Sequence, residues 1–152
     1  MLELALHYGE GPLLVKNISK RQKLSNRYLE QLLLTLKMAG LVRSTRGNRG
    51  GFMLAKKPSQ IRLLAIVEAL DGPIAPVECV DEPEFYPRAE FCATREVWVE
   101  VKRAVRNVLN SITLQHVVIK FREMETAAKS HGISVEKAIY VGCGDDLRSY
   151  RE

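Results

Sequence analysis

The sequence predicts a mainly α-helical protein with a small β-hairpin and one long helix in its second half. Three observations carry that expectation. Residues 26–39 place Leu29, Leu32, Leu33 and Leu36 at i, i+3, i+4 and i+7, one face of an amphipathic helix. Two short runs, 41–44 and 52–54, flank a glycine-rich tip at 46–51, the pattern of a hairpin. Residues 94–111 carry Val97, Trp98, Val101, Ala104, Val105 and Val108, with Ile112 just beyond, close to a heptad stripe. At 152 residues, 46% hydrophobic and 27% charged, the chain suits one domain, or a small domain with an appendage, and excludes wholesale disorder. It is too short for a large catalytic α/β barrel, and no apolar run approaches the ~18–20 residues that span a bilayer. The first residues have no basic stretch leading into an apolar one, so no secretory signal is expected. Three cysteines, an odd number, fit a reducing cytoplasm better than a disulfide scaffold.

The elements follow in order. Residues 2–8 form a short helix with Leu2, Ala5 and Leu6 on one face, stopped by Gly9-Glu10-Gly11-Pro12. Residues 15–23 form a second, with Val15 and Ile18 inward and Lys16, Lys20, Arg21 and Lys23 outward. Leu24 closes a turn, and Ser25 is a good N-cap because its hydroxyl accepts from an orphan N–H of the next helix. That helix ends where Gly40 supplies a left-handed residue. Helix, short turn, longer helix and hairpin is the order of a winged helix-turn-helix. After Pro58, residues 61–70 read as a helix (Leu63, Leu64, Val67, Leu70) ended by Asp71-Gly72-Pro73. Residues 74–93 hold three prolines and five acids, too irregular for one long element. Thr94 then caps the long helix, whose length at 1.5 Å per residue is roughly 28 Å. Residues 113–141 read as one or two helices broken near Gly132, and 142–152 as a polar, mobile tail. The expected organisation is therefore a head at 1–58, a linking helix and acidic loop at 59–93, a dimerisation helix with C-terminal helices at 94–141, and the tail.

Charge is divided unevenly along this plan. Residues 1–58 hold eleven Lys/Arg and three acids, a net of +8, whereas residues 59–93 hold two and seven, a net of −5. A basic head on an acidic-to-neutral body points to a polyanionic partner, most simply double-stranded DNA. The bland alternative is a solvated basic face. In the 26–39 helix, Asn26, Arg27, Tyr28, Glu30 and Gln31 are left over from the apolar stripe and occupy the first two turns, the part of a recognition helix that enters the major groove. Arg27 suits guanine, Gln31 adenine and Glu30 the amino group of cytosine, while Ser25 and Tyr28 suit phosphates. The hairpin supplies Arg43, Arg46, Asn48 and Arg49 with no acid among them, and its glycines let backbone approach a phosphate or a narrow groove. An enzyme would need a nucleophile–base pair, a phosphate loop or a ligand set, and none is evident. The tip lacks the Gly-Lys-Ser/Thr ending of a P-loop. A winged-helix protein-interaction module without DNA binding is the more serious alternative.

The runs Leu24-Ser25-Asn26-Arg27-Tyr28-Leu29-Glu30-Gln31-Leu32, Ala39-Gly40-Leu41-Val42-Arg43-Ser44 and Arg46-Gly47-Asn48-Arg49-Gly50-Gly51-Phe52-Met53-Leu54-Ala55 resemble the Rrf2 family of bacterial regulators. The likeness extends through Glu68-Ala69-Leu70-Asp71-Gly72-Pro73 and more loosely to Leu114, about three quarters of the chain. It implies a homodimer joined by the long helix, with two heads on a partly palindromic operator. It also implies DNA contacts at Ser25, Tyr28, Glu30, Gln31 and Arg46. Family members usually extend further before the position of Leu4, with basic and aromatic positions that touch DNA.

Cluster-bearing members carry three cysteines in the loop before the dimer helix. Here Cys79 and Cys92 match the outer two, and Tyr86 stands at the middle position. A 2Fe–2S cluster usually takes four thiolates or mixed thiolate–histidine ligands, and the loop has no histidine. Three readings of Cys79 and Cys92 stay open: cluster ligands, with Glu78, Asp81, Glu82 or Glu90 nearby; a thiol switch; or packing thiols with no metal role. DNA binding is expected not to require iron. Cys143, flanked by glycines, is expected to be exposed, with nothing around it to activate it. The stripe of Val97, Trp98, Val101, Val105, Val108 and Ile112 reads as a dimer seam, because the helix is longer than one head can cover. Intramolecular core is the alternative, and a small-molecule pocket at the seam a third.

Overall fold

A computed structural model of the chain describes residues 1–47, 50–74, 77–81, 84 and 92–130. Helix α1 (Leu2–Leu6) buries Leu4 and Ala5 and ends two residues before the expected stop. The cause is local: the Tyr8 N–H turns back to the Ala5 carbonyl at 3.2 Å, and Gly9 takes φ 95°. Helix α2 (Val15–Gln22) buries Ile18 and closes on Lys23, the only non-glycine residue with positive φ (52°) among those described. Helix α3 (Asn26–Met38) begins as the cap predicts, with the Tyr28 N–H donating to the Ser25 hydroxyl at 3.2 Å. Its Leu29, Leu33 and Leu36 are buried. Gly40 follows at φ 68°, the left-handed conformation expected after a helix end.

Strands β1 (Val42–Thr45) and β2 (Gly51–Leu54) form an antiparallel pair with Val42 opposite Leu54 and Thr45 opposite Gly51. Leu13 adds a single bridge to Phe52, their N–H and carbonyl groups exchanging bonds of 2.8 and 2.9 Å. The hairpin is thereby fastened to the segment between α1 and α2. Gly51 is needed for this approach, because a Cβ there would lie 2.4 Å from the Leu13 carbonyl oxygen. The head's core comprises Leu4, Ala5, Ile18, Leu29, Leu33, Leu36, Leu41, Val42 and Leu54.

Ile61, expected at the start of a helix, is instead an extended residue that is 1% exposed. A 3-10 turn at Pro58–Gln60 precedes it, and helix α4 spans Leu63–Asp71. The Ile61 carbonyl accepts from the Leu114 N–H at 2.8 Å, and the Leu63 N–H donates to the Ile112 carbonyl at 3.0 Å. Tertiary pairing takes up the backbone groups that a helix would otherwise have used. The described residues of the irregular stretch include a short helix, α5 (Glu78–Asp81). Helix α6 runs Ala93–Ser111, so Thr94 is not its cap; Cys92 holds that position, with an extended backbone. The Thr94 hydroxyl instead lies 3.1 Å from the Cys92 sulfur.

The chain divides into two compact units, Met1–His116 and Val117–Glu152. Helix α7 (Leu114–Ser130) begins in the first and supplies the described part of the second. Thr113 and His116 start it reciprocally: the His116 N–H donates to the Thr113 hydroxyl at 3.3 Å, and the Thr113 N–H to His116 Nδ1 at 3.1 Å. The expected break near Gly132, the tail and Cys143 lie outside the described residues.

Candidate nucleic-acid interface

The turn at Lys23–Ser25 sets α3 with its amino-terminal end capped and its leftover side chains outward. Asn26, Arg27, Glu30 and Gln31 are exposed, and Tyr28 is 51% exposed despite its aromatic ring. Their exposure follows from the apolar stripe: Leu29, Leu33 and Leu36 take the inner face, so these positions have nowhere else to point. The outer row Arg27, Gln31, Leu34 and Met38 repeats at helical spacing, and its last two members are 52% and 82% exposed. Leu34 and Met38 are not among the residues expected at the interface, although their place outside the stripe marks them in the sequence.

The hairpin is set against α3 by Lys37, whose ammonium donates to the Ser44 hydroxyl at 2.7 Å. Arg46 is exposed beside Gly47, which takes φ 108°, and the Gly50 N–H closes the tip on the Gly47 carbonyl at 2.8 Å. A Cβ at Gly50 would meet the Thr45 carbonyl oxygen at 2.5 Å, so the tightness of this turn requires glycine. Asn48 and Arg49, expected in the same interface, lie outside the described residues. Arg43 is not brought to α3. Side chains alternate along a strand, so with Ser44 turned to Lys37, Arg43 stands on the opposite face, beside the end of α1.

Helix α6 presents the long apolar stripe to solvent. Val97 and Val108 are 60% and 57% exposed, and Trp98, Val101 and Val105 are exposed as well, with Ile112 half-buried. The face turned to the rest of the unit carries half-buried Arg95, Val99, Lys102, Arg106 and Leu109. The Arg106 guanidinium pairs with Glu68 of α4, and Arg95 Nε donates to the Cys79 carbonyl at 3.0 Å. Neither α4 nor α6 contains a single buried residue. Among the described residues of the first unit, the stripe lies outside the core.

Cys79 and Cys92 are both half-buried and are not joined in a disulfide. The Thr94 hydroxyl, then the Arg95 backbone N–H, lower the Cys92 thiol pKa below its ordinary value. Among the described residues no three His, Cys, Asp or Glu side chains come together as a metal-ligand group. Tyr86, Glu82 and Glu90 lie outside them. Two thiols are half of what a 2Fe–2S cluster usually takes, so the described donor set does not by itself fit one.

A capped recognition helix, a hairpin with a cationic tip and a basic head together define a winged helix-turn-helix DNA-binding regulator. The family can be stated as well: the chain belongs to the Rrf2 family, whose model, described as an iron-dependent transcriptional regulator, matches residues 1–120. The HTH-type transcriptional regulator CymR of Bacillus subtilis (strain 168) is 44% identical over 115 residues, covering 76% of this chain and 78% of that protein. The HTH-type transcriptional regulator IscR of Serratia proteamaculans (strain 568) is 38% identical over 118 residues, covering 78% and 71%. Among solved structures, the global cysteine regulator CymR of B. subtilis superposes with a TM-score of 0.65 at 40% identity, over 78% of this chain and 87% of that one. IscR of T. potens gives 0.66 at 39% identity, over 82% and 81%. Among the described residues no helix is long and apolar enough to cross a membrane.

Proposed function

We propose that the protein is a cytoplasmic homodimer that reads a partly palindromic operator, with one head on each half-site. Asn26, Arg27, Tyr28, Glu30 and Gln31 enter the major groove, Ser25 and Tyr28 hold phosphates, and Arg46 with Asn48 and Arg49 engages the flanking groove. The seam is Val97, Trp98, Val101, Val105, Val108 and Ile112 of both copies. The observation that carries this reading is the solvent-facing stripe on α6, in a molecule with one recognition helix per chain. Covering it with a second copy removes five large apolar side chains from water and supplies the second reader.

DNA binding in this reading does not require iron, a reading supported by Tyr86 standing at the middle cysteine position, which leaves the loop Cys79 and Cys92 as its thiols. A regulator responding to cluster status through Cys79 and Cys92 is the competing account. Purification without oxygen separates the two. A colourless sample that binds operator supports iron-independent reading, whereas stoichiometric iron and sulfide whose removal changes operator choice would overturn it. The dimeric reading is tested by the salt dependence of operator affinity, expected to follow a log–log slope of about −0.9 per neutralised phosphate summed over two heads. A slope no steeper than that of the isolated interactions of one head would count against it.

A further inference from the structure

A cavity of about 240 Å³ lies between the end of α1 and the hairpin, on the side of the head away from Lys37 and Ser44. Its floor is apolar: Leu4 and Leu54 are 4% and 2% exposed, and Met53 is half-buried. One wall is the turn at Gly9 and Gly11, both at positive φ, where an added Cβ would meet nothing within 4 Å. His7 and Tyr8 line the cavity too, but His7 is already engaged, its Nδ1 with Glu10 at 2.6 Å and its Nε2 with Arg21 at 2.6 Å. Arg43 is the cation of the lining; its backbone pairs with Met53 in the hairpin, but its guanidinium makes no hydrogen bond or ion pair with another described residue.

We infer that this cavity binds a small aliphatic monocarboxylate and that Arg43 receives the carboxylate. A guanidinium offers a planar fork of N–H donors that matches a carboxylate in two parallel bonds. The apolar floor then takes a short hydrocarbon body, and the volume, just below the ~300–1,000 Å³ of drug-sized sites, limits that body to a few carbons. The occupant would touch both α1 and β1. The α1–α2 segment is also bridged to the hairpin through Leu13 and Phe52, so occupancy bears on how the wing that carries Arg46 is held. That regulatory consequence rests on the DNA-binding reading above; binding itself does not.

The test uses the full chain without DNA, with butyrate as probe and n-butylammonium as its oppositely charged match. Methyl signals of Leu4, Met53 and Leu54 should shift saturably with butyrate and stay put with n-butylammonium. Arg43→Gln should weaken butyrate binding by about tenfold or more, as loss of a charge-assisted fork requires. Arg43→Lys, which keeps the charge and loses the fork, should fall between. Arg46→Gln should leave the shifts intact while lowering operator affinity, so failure of the cavity is distinguishable from failure of DNA reading. Shifts that never saturate, or that persist unchanged in both Arg43 variants, would overturn the assignment.

Discussion

The head and the α4–α6 pair solve the burial problem in opposite ways. In the head, α1, α2, α3 and the hairpin close on one another and hide nine aliphatic side chains. In the pair, two helices rich in Leu, Ile and Val bury none, and the apolar side of α6 faces outward. Both regions have helical periodicity of similar quality, so periodicity alone does not separate a finished core from an unfinished one. What separates them is whether the chain returns to cover the apolar face. The hairpin returns over the head, held by Leu13–Phe52 and Lys37–Ser44. Among the described residues of the first unit, nothing returns over Val97, Val101, Val105 and Val108. In the proposed dimer the division has a use: each reader is attached to an apolar face that a second copy covers.

The largest expected effect breaks the unfinished side. Val101→Asp or Val105→Asp would force an unpaired carboxylate into the proposed seam, at a cost of several kcal/mol. Sedimentation should then show monomers whose operator binding collapses while the head stays folded. A variant that remains dimeric with normal affinity would move the seam elsewhere.

On the finished side, Gly51→Ala would press a Cβ against the Leu13 carbonyl, where backbone must shift. Overpacking of this kind costs about 1–3 kcal/mol, so thermal unfolding should begin earlier while the oligomeric state is kept. An unchanged melting temperature would show that the Leu13–Phe52 bridge contributes little. Arg46→Ala addresses function without touching either core, and should weaken operator binding by about 1–3 kcal/mol with no change in stability. Gln31→Ala and Glu30→Ala should relax preference at single base positions and leave non-specific affinity nearly intact. Equal loss on every sequence would make them positioning groups only.

The smallest effect is expected from Ser25→Ala. It removes an exposed cap bond and should cost about 0.5–2 kcal/mol of stability, read by chemical denaturation. Ser25→Asp should restore most of it, because a carboxylate also accepts from the first-turn N–H groups.

Much of this was legible in the chain because local rules and tertiary packing agree there. The i, i+3, i+4, i+7 leucines, the Ser25 cap and Gly40 each specify one conformation from near neighbours alone, and the exposure of Arg27 and Gln31 follows from the same stripe. Three features were not legible. Ile61 has helix-compatible neighbours, yet it is extended because its carbonyl meets the Leu114 N–H, 53 positions away in the chain. Thr94 is a better cap than Cys92 by residue type, but α6 starts two positions earlier and leaves Thr94 inside its first turn. Arg43 carries the same charge as Arg46, and only the strand register, with Ser44 turned to Lys37, places it beside α1 rather than α3. Sequence by itself determined the elements, their order and the basic head, because hydrogen bonds and side-chain spacing within a few residues decide those. Tertiary structure decided which faces are covered, since burial depends on segments that are distant in the chain and near in space.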